Sequence, residues 1–416
     1  MGLKKAIFDL AKKSPAFRKS ARLVRDRFKK MEYVRNARKI RVDRKTIYFE
    51  TFSGRSYADS PKAIYEHLLA DPRFSDYLFV WSFFEPEKYK FLEENRNTKV
   101  VASKSREEEK ILARAGYWIT NYRMLDHFIP KAEQIYVQCW HGTPLKRLGY
   151  DLKQSDNVMN SIEEIRDKYK TDTERFSYFI SPSAFATEKF RSAWNMEALG
   201  KADSVIEEGY PRNDRLINAD PEYVSSLKKQ FGIDDIGDKK VLLYAPTWRD
   251  NQHTSGVGYT YKVSVDFDYL REKLADRYVI LFRAHYLVAN SFDFQKYDGF
   301  IYNVSDHDDV NDAYLVSDIL ITDYSSVFFD YANLRRPMIF YMYDMEEYRD
   351  SLRGFYISLD ELPGRIVENE QDLVQAVEAA ADSEIDETYE RFNKKYNYLD
   401  DGHATDRVIE KIFFSK

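Results

Sequence analysis

The chain has 416 residues, 44% of them hydrophobic, with 15 Gly, 12 Pro and 1 Cys. At about 100–200 residues per domain this length implies two or three folded units, and a lone cysteine excludes an intrachain disulfide framework. The net charge is only -5, but residues 1–45 carry 17 Lys and Arg against 4 Asp and Glu, which leaves the body acidic and excludes nucleic acid as its partner.

No apolar run reaches the roughly 18–20 residues that span a bilayer. The basic N-terminus lacks the apolar core of a secretory signal, so the expected location is the cytoplasm, on or off a membrane surface. Within this segment, Phe17, Ala21, Val24, Phe28 and Met31 follow Pro15 as one apolar stripe at helical spacing, with Lys and Arg on the other faces. Such a helix either lies on an anionic membrane or packs its stripe on the protein body or on a partner helix.

From about Arg44 onward, short β-rich runs alternate with helical ones. "TIYFE" (46–50) precedes the Ser-Pro helix start of "SPKAIYEHLLADP", and "YLFVWSF", "GYWITN", "QIYVQCW" and "YFISPS" continue the plan. A polar stretch over 207–240 interrupts it. The alternation then restarts with "VLLYAPTWRD", "YVILFRAH", "DILITDYSS" and "PMIFYMYD", and "HATDRVIEKIFFSK" closes the chain as a helix. This pattern predicts two α/β units with mostly parallel sheets.

Ligands of open α/β sheets bind beyond the carboxyl ends of the strands. At those exits stand Asn121 and His141 in the first unit, and Thr247, Arg283, His285, Asp323, Ser325 and Ser326 in the second. In "QCWHGTPLK", Gly142 permits a tight bend, and Thr143 followed by Pro144 reads as a helix start. A helix end beside His141 would keep its imidazole neutral and basic, as a general base requires; the plain alternative is a structural corner histidine. Cys139, on an apolar strand, reads as buried core rather than as a nucleophile.

Arg283 and His285 are two residues apart, so at an extended strand end both point one way and suit a diphosphate; otherwise they form a surface ion pair and a satisfied histidine. Ser325 and Ser326 open a helix over 327–334, which suits phosphate or an ordinary cap. Asp330, one turn on, faces either ligand or solvent. Arg212 in "GYPRND" lies near the boundary, in a cleft or on a solvated linker. "DHDD" (306–309) reads as solvated rather than metal-binding, and there is no zinc-spaced set, Walker loop or GxGxxG.

In order, "WHGTPLK", "YPRND", "YAPTWR", "RAH" and "ITDYSSVFFDY" resemble the CDP-glycerol glycerophosphotransferases, which include teichoic-acid primases, polymerases and related capsule enzymes, over roughly residues 45–400. The resemblance implies an α/β, GT-B-like fold with two Rossmann-like domains facing a cleft. With the texture changes read above, the expected division is a basic membrane-association segment (1–43), a Rossmann-like domain (44–215), a second one (216–400) and a C-terminal helix (401–416); the resemblance implies that the first domain is the acceptor side, that the second binds the CDP donor and that the helix crosses back to the first. It implies transfer of glycerol phosphate or ribitol phosphate from a CDP-linked donor to a hydroxyl of a polyprenyl-diphosphate-linked saccharide acceptor, with release of CMP. The expected setting is the cytoplasmic face of the membrane, with no cofactor and no obligatory metal, and with room for a homo-oligomer.

By the matching motifs, His141 and His285 are the catalytic pair, with His141 as the base. The implied donor site comprises Gly142, Thr143, Pro144, Leu145, Arg212, Pro246, Thr247, Arg283, Ala284, His285, Ser325, Ser326 and Asp330. Two rival readings are a GT-B glycosyltransferase that uses a nucleotide-sugar and a non-catalytic, membrane-docked module that binds a glycan or nucleotide.

Overall fold

Apolar strands that are buried on both faces need helices above and below, and the chain supplies them in alternation. The computed structural model describes residues 15–153, 161–247, 253–254, 258–259, 265–284, 292–345, 354–380 and 385–415. The first sheet contains β1 (Asp43–Glu50), β2 (Leu78–Phe83), β3 (Thr98–Ala102), β4 (Ala115–Thr120), β5 (Ile135–Gln138), β6 (Tyr178–Ser181) and β7 (Val205–Glu207), in the order β3-β2-β1-β4-β5-β6-β7. All its pairings are parallel.

In the second half come β8 (Lys240–Ala245), a two-stranded antiparallel ribbon of β9 (His253–Thr254) and β10 (Gly258–Tyr259), then β11 (Tyr278–Phe282), β12 (Ile301–Asn303), β13 (Ile319–Thr322), β14 (Met338–Tyr341) and β15 (Arg365–Val367). The second sheet is again parallel, in the order β12-β11-β8-β13-β14-β15. Two helix-covered parallel sheets make the GT-B-like architecture that the motifs implied.

Each sheet reverses its strand order once, between β1 and β4 and between β8 and β13. Such switch points open a crevice at the carboxyl ends of the strands. Here both are bridged by side chains. The Phe52 N–H donates to Asn121 Oδ1 (2.8 Å) beyond β1 and β4, and the Thr247 N–H and hydroxyl donate to Asp323 Oδ1 (2.7 and 2.6 Å) beyond β8 and β13.

Cores lie on both faces of each sheet. One face of the first is aromatic, with Phe49 stacked on Trp81 at 5.1 Å and Trp81 on Phe83 at 5.5 Å. Val408, Ile409 and Ile412 join this core, so the C-terminal helix (Ala404–Ile409) returns to the first sheet. Asp214 caps that helix by accepting from the N–H groups of Ala404 and Thr405 (2.9 and 2.7 Å). Gly209 beside it has φ +92°, and a Cβ there would lie 2.6 Å from the Leu399 carbonyl, so only glycine fits.

The N-terminal helix runs Pro15–Ala37. Tyr33 and Ala37 dock it on the first domain, with Tyr33 edge-on to Phe128 at 5.2 Å. Val24, Phe28 and Met31 remain 70%, 64% and 59% exposed, so this part of the stripe does not pack on the body; the side chains of Phe17 and Ala21 lie outside the described residues.

One expected element is absent. No helix starts at Thr143–Pro144; the segment after His141 is extended and crosses to the second half. Leu145 enters the second domain's core, Lys146 bridges Phe355, the Arg147 N–H donates to the Gly354 carbonyl (3.1 Å), and the Tyr356 N–H donates to the Leu145 carbonyl (2.9 Å). Long-range pairing satisfies the backbone groups that a helix would have satisfied locally. Leu145 is therefore packing rather than ligand-facing.

Candidate active site

A cavity of about 690 Å³ lies between the two halves, and His141, Arg212, Arg283, Ser326 and Asp330 line it together. Trp140, just before the histidine, has φ +51°, and its N–H is held by Gln138 Oε1 at 3.0 Å. Phe52, Ser53 and Asp59 also adopt left-handed backbone around the same mouth. Non-glycine residues in this region are strained, and such strain collects at functional sites.

His141 packs against Trp140, Phe52 and Tyr122, with ring centroids 4.1, 5.8 and 5.9 Å away. Its Nδ1 lies 2.8 Å from the Asn121 carbonyl oxygen. A carbonyl only accepts, so Nδ1 carries the proton and Nε2 is the basic nitrogen. Burial lowers the imidazole pKa; the Asn121 carbonyl and the Asp59 carboxylate pull the other way. The expected helix end beside His141 is absent, so desolvation is what keeps the ring neutral.

The Asn121 side chain ties this corner to the second half. Its Nδ2 donates to Asp59 Oδ2 (2.9 Å), Arg212 donates to Asp59 Oδ1 (3.2 Å) and to Asp330 Oδ1 (3.0 Å), and Asn213 Nδ2 donates to Asp330 Oδ1 (3.0 Å). Burial opposes the charge on Arg212, but Asp330 and Asp59 outweigh it and hold its pKa well above the usual value. Arg212 is thus a buried strut between the halves, and Asp330 faces it. Gly142 completes the contact, since a Cβ there would sit 3.1 Å from Ser326 Oγ.

Arg283 Nη1 donates to the carbonyls of Val304 and His307 (3.0 and 2.7 Å), and burial lowers its pKa. Ser326 precedes a helix of only five residues (Val327–Tyr331) and makes no capping bond. Ser325 is half-buried beside it. Thr143 and Pro144 are buried, Pro246 and Thr247 are half-buried at the exit of β8, and the Ala284 N–H donates to Ser305 Oγ (3.1 Å); none of these lines the cavity. His285 lies outside the described residues. Cys139 is buried, and desolvation raises its thiol pKa well above the usual value, which suits core and not a nucleophile.

"DHDD" is not the solvated loop expected, since Asp309 is buried and paired, and the helix after it contributes as well. Asp309 pairs with Lys62 (2.9 Å), Asp308 accepts from the Tyr57 N–H (2.9 Å), and Asn311 Nδ2 donates to the Arg212 carbonyl (2.7 Å). Tyr314 lines the cavity with its hydroxyl unpaired. Sequence reasoning missed Asp59, Asn311 and Tyr314. The left-handed backbone at Asp59 leaves no composition signal, and Tyr314 reads as one more apolar helix residue.

The cavity therefore combines a neutral, basic histidine on one wall with guanidinium and hydroxyl groups on the other. That set suits removal of a proton from a hydroxyl beside a phosphate ester. Known proteins align closely with this chain. The chain is 39% identical over 377 residues to the teichoic acid glycerol-phosphate transferase of Staphylococcus aureus, covering 88% of this chain and 92% of that protein. It is 37% identical over 382 residues to the teichoic acid poly(glycerol phosphate) polymerase of Bacillus subtilis, covering 91% of this chain but 50% of that one, so it spans about half of that relative. The solved structure of the wall teichoic acid polymerase TagF superposes with a TM-score of 0.83 at 36% identity, covering 95% of this chain and 94% of that one. The CDP-Glycerol:Poly(glycerophosphate) glycerophosphotransferase family model matches residues 31–414, and the chain belongs to that family of transferases.

Proposed function

We propose that this chain moves glycerol phosphate from CDP-glycerol to a hydroxyl of a polyprenyl-diphosphate-linked acceptor and releases CMP. The observation that carries this reading is His141: its Nδ1 is committed to the Asn121 carbonyl and its Nε2 is left basic, on a residue that lines the cavity shared with Arg212 and Arg283. Nε2 takes the hydroxyl proton, the resulting oxygen attacks the phosphorus that bears glycerol, and the bond to CMP breaks with its electron pair on CMP. Arg283 and Ser326, with Ser325 and His285 by motif, offset charge on the diphosphate.

The acceptor is met at an anionic membrane surface. The exposed Val24, Phe28 and Met31 on a basic helix support this. Among the described residues no helix is long and apolar enough to cross a membrane.

The test is a donor panel with a synthetic polyprenyl-diphosphate disaccharide that carries one glycerol phosphate, with products weighed by mass spectrometry. CMP release from CDP-glycerol with addition of glycerol phosphate units supports the reading. Turnover of CDP-ribitol alone or of UDP-sugars would overturn it. Protein lacking residues 1–40 should leave anionic liposomes while still binding CDP-glycerol, and unchanged sedimentation with liposomes would reject the membrane role.

A further inference from the structure

Beyond β4 the loop Asn121–Pro130 joins the site to the N-terminal helix. One end lays the half-exposed Tyr122 ring along His141 at 5.9 Å and 27°, and the other packs Phe128 against Tyr33. The loop is held in place: Thr120 Oγ1 and Gln138 Nε2 donate to the Tyr122 carbonyl (3.0 and 3.3 Å), and Arg175 Nη1 donates to the carbonyls of Leu125 and Phe128 (both 2.9 Å).

Arg123 stands in this fixed loop without a hydrogen bond. Its Nε and Nη1 are buried without a hydrogen-bond partner, while its guanidinium lies over the Tyr169 ring at 4.8 Å. Arg96, Arg166 and Arg175 also have a buried unpaired nitrogen, but each donates to carbonyls from the rest of its guanidinium; among the described residues Arg123 makes no hydrogen bond. The nearby acid, Asp172, is already served by Tyr136 Oη, Gln138 Nε2 and Trp194 Nε1 (3.0, 3.4 and 3.3 Å), and no ion pair to Arg123 forms. Buried guanidinium donors without partners are costly, and a planar fork held over an aromatic face matches a phosphate. Through Tyr169 and Trp140 this fork is contiguous with His141, since Trp140 contacts both rings (6.5 and 4.1 Å).

We infer that Arg123 is the residue that binds the phosphate group at the end of the acceptor chain, on the wall of the site that carries His141. The inference rests on the reaction proposed above. The side it assigns to the acceptor is the one that faces the basic helix, from which a lipid-linked chain would arrive.

The experiment compares two soluble acceptors of equal length, one ending in glycerol joined through a phosphodiester and the other through a neutral ether, with CDP-glycerol as donor and CMP release as readout. Wild type should favour the phosphodiester by about tenfold or more in kcat/KM, and Arg123→Gln should bring that ratio to within about twofold by raising acceptor KM rather than donor KM, with Arg123→Lys between them. An intact ratio in Arg123→Gln, or an equal rise in KM for both acceptors, overturns the inference. Inorganic phosphate provides a check that needs no variant: competition against the acceptor supports the site, and competition against the donor alone overturns it. If wild type releases CMP from CDP-glycerol with neither acceptor nor with the lipid-linked one, the proposed reaction itself fails and the inference with it.

Discussion

The Nδ1 of His141 and the main-chain carbonyl of Asn121 lie 2.8 Å apart, at the exits of two adjacent strands, β5 and β4. Because a backbone atom makes the contact, the tautomer is set by the fold and not by a neighbouring side chain. His141→Ala should therefore lower turnover by about 10²–10⁴-fold while CDP-glycerol binding, measured by calorimetry, stays within a few fold. Near-normal turnover would remove His141 from the role of base.

The pH profile follows from the same environment. Burial lowers the imidazole pKa, so the neutral form persists below the ordinary value of about 6.5. The acid limb of kcat/KM should fall below that value. The Asp59 carboxylate favours the imidazolium, so Asp59→Asn should move the limb to still lower pH. An acid limb at or above pH ~6.5 in wild type would contradict this.

Arg212 holds Asp59 and Asp330 with side chains that are 4%, 6% and 9% exposed, respectively. Removing one partner of such a group leaves uncompensated charge, at a cost of about 3–5 kcal/mol. Arg212→Ala should lower the urea midpoint accordingly. Arg212→Lys should rescue little, because one ammonium does not reproduce a fork shared by two carboxylates. A variant as stable as wild type would show that the strut carries no stability.

The Tyr314 hydroxyl is buried, unpaired and at the cavity wall. A hydroxyl awaiting a ligand costs the empty fold and assists binding. Tyr314→Phe should thus keep or raise thermal stability while weakening CDP-glycerol binding by about 3–10-fold. Lower stability with unchanged donor affinity would assign the hydroxyl a purely structural role.

Glu50, at the end of β1, shares the Tyr48 hydroxyl with Glu108 (2.9 and 2.8 Å). Burial first, and Glu108 second, push the Glu50 pKa up to about 8 from 4.5. Between those values the folded state holds a proton that the unfolded chain has lost, so stability falls as pH rises through the window, by at most about 1.4 kcal/mol per pH unit. Glu50→Gln should flatten that slope and be the more stable form at pH 8. Parallel stability curves for the two proteins from pH 5 to 8 would refute the proton retained on Glu50.

Much of the fold was readable because central parallel strands are uniformly apolar. "TIYFE", "YVILF" and "ILIT" are interior strands, and each is recognisable in isolation. Within the two parallel sheets, the four strands that the reading left out, β3, β7, β12 and β15, are the edges. Edge strands bury less and are short, as "VIE" and "RIV" show, so their composition does not set them apart from loops. The helix expected at Thr143 failed for another reason. Its local signals were sound, but pairing with residues 354–356 and burial of Leu145 in the other domain outweigh them.

What the sequence alone determined was local: alternation that demands parallel helix-covered sheets, and a histidine, an arginine and serines at the carboxyl ends of strands, where a ligand must bind. What only the tertiary structure decided is how those ends meet. Asp59, Asn121, Arg212 and Asp330 come from four separate segments, and periodicity reports whether each is buried but not against what. The two switch points bring them into one chain of hydrogen bonds, while the Tyr314 hydroxyl and two nitrogens of the Arg123 guanidinium stay buried without a hydrogen-bond partner.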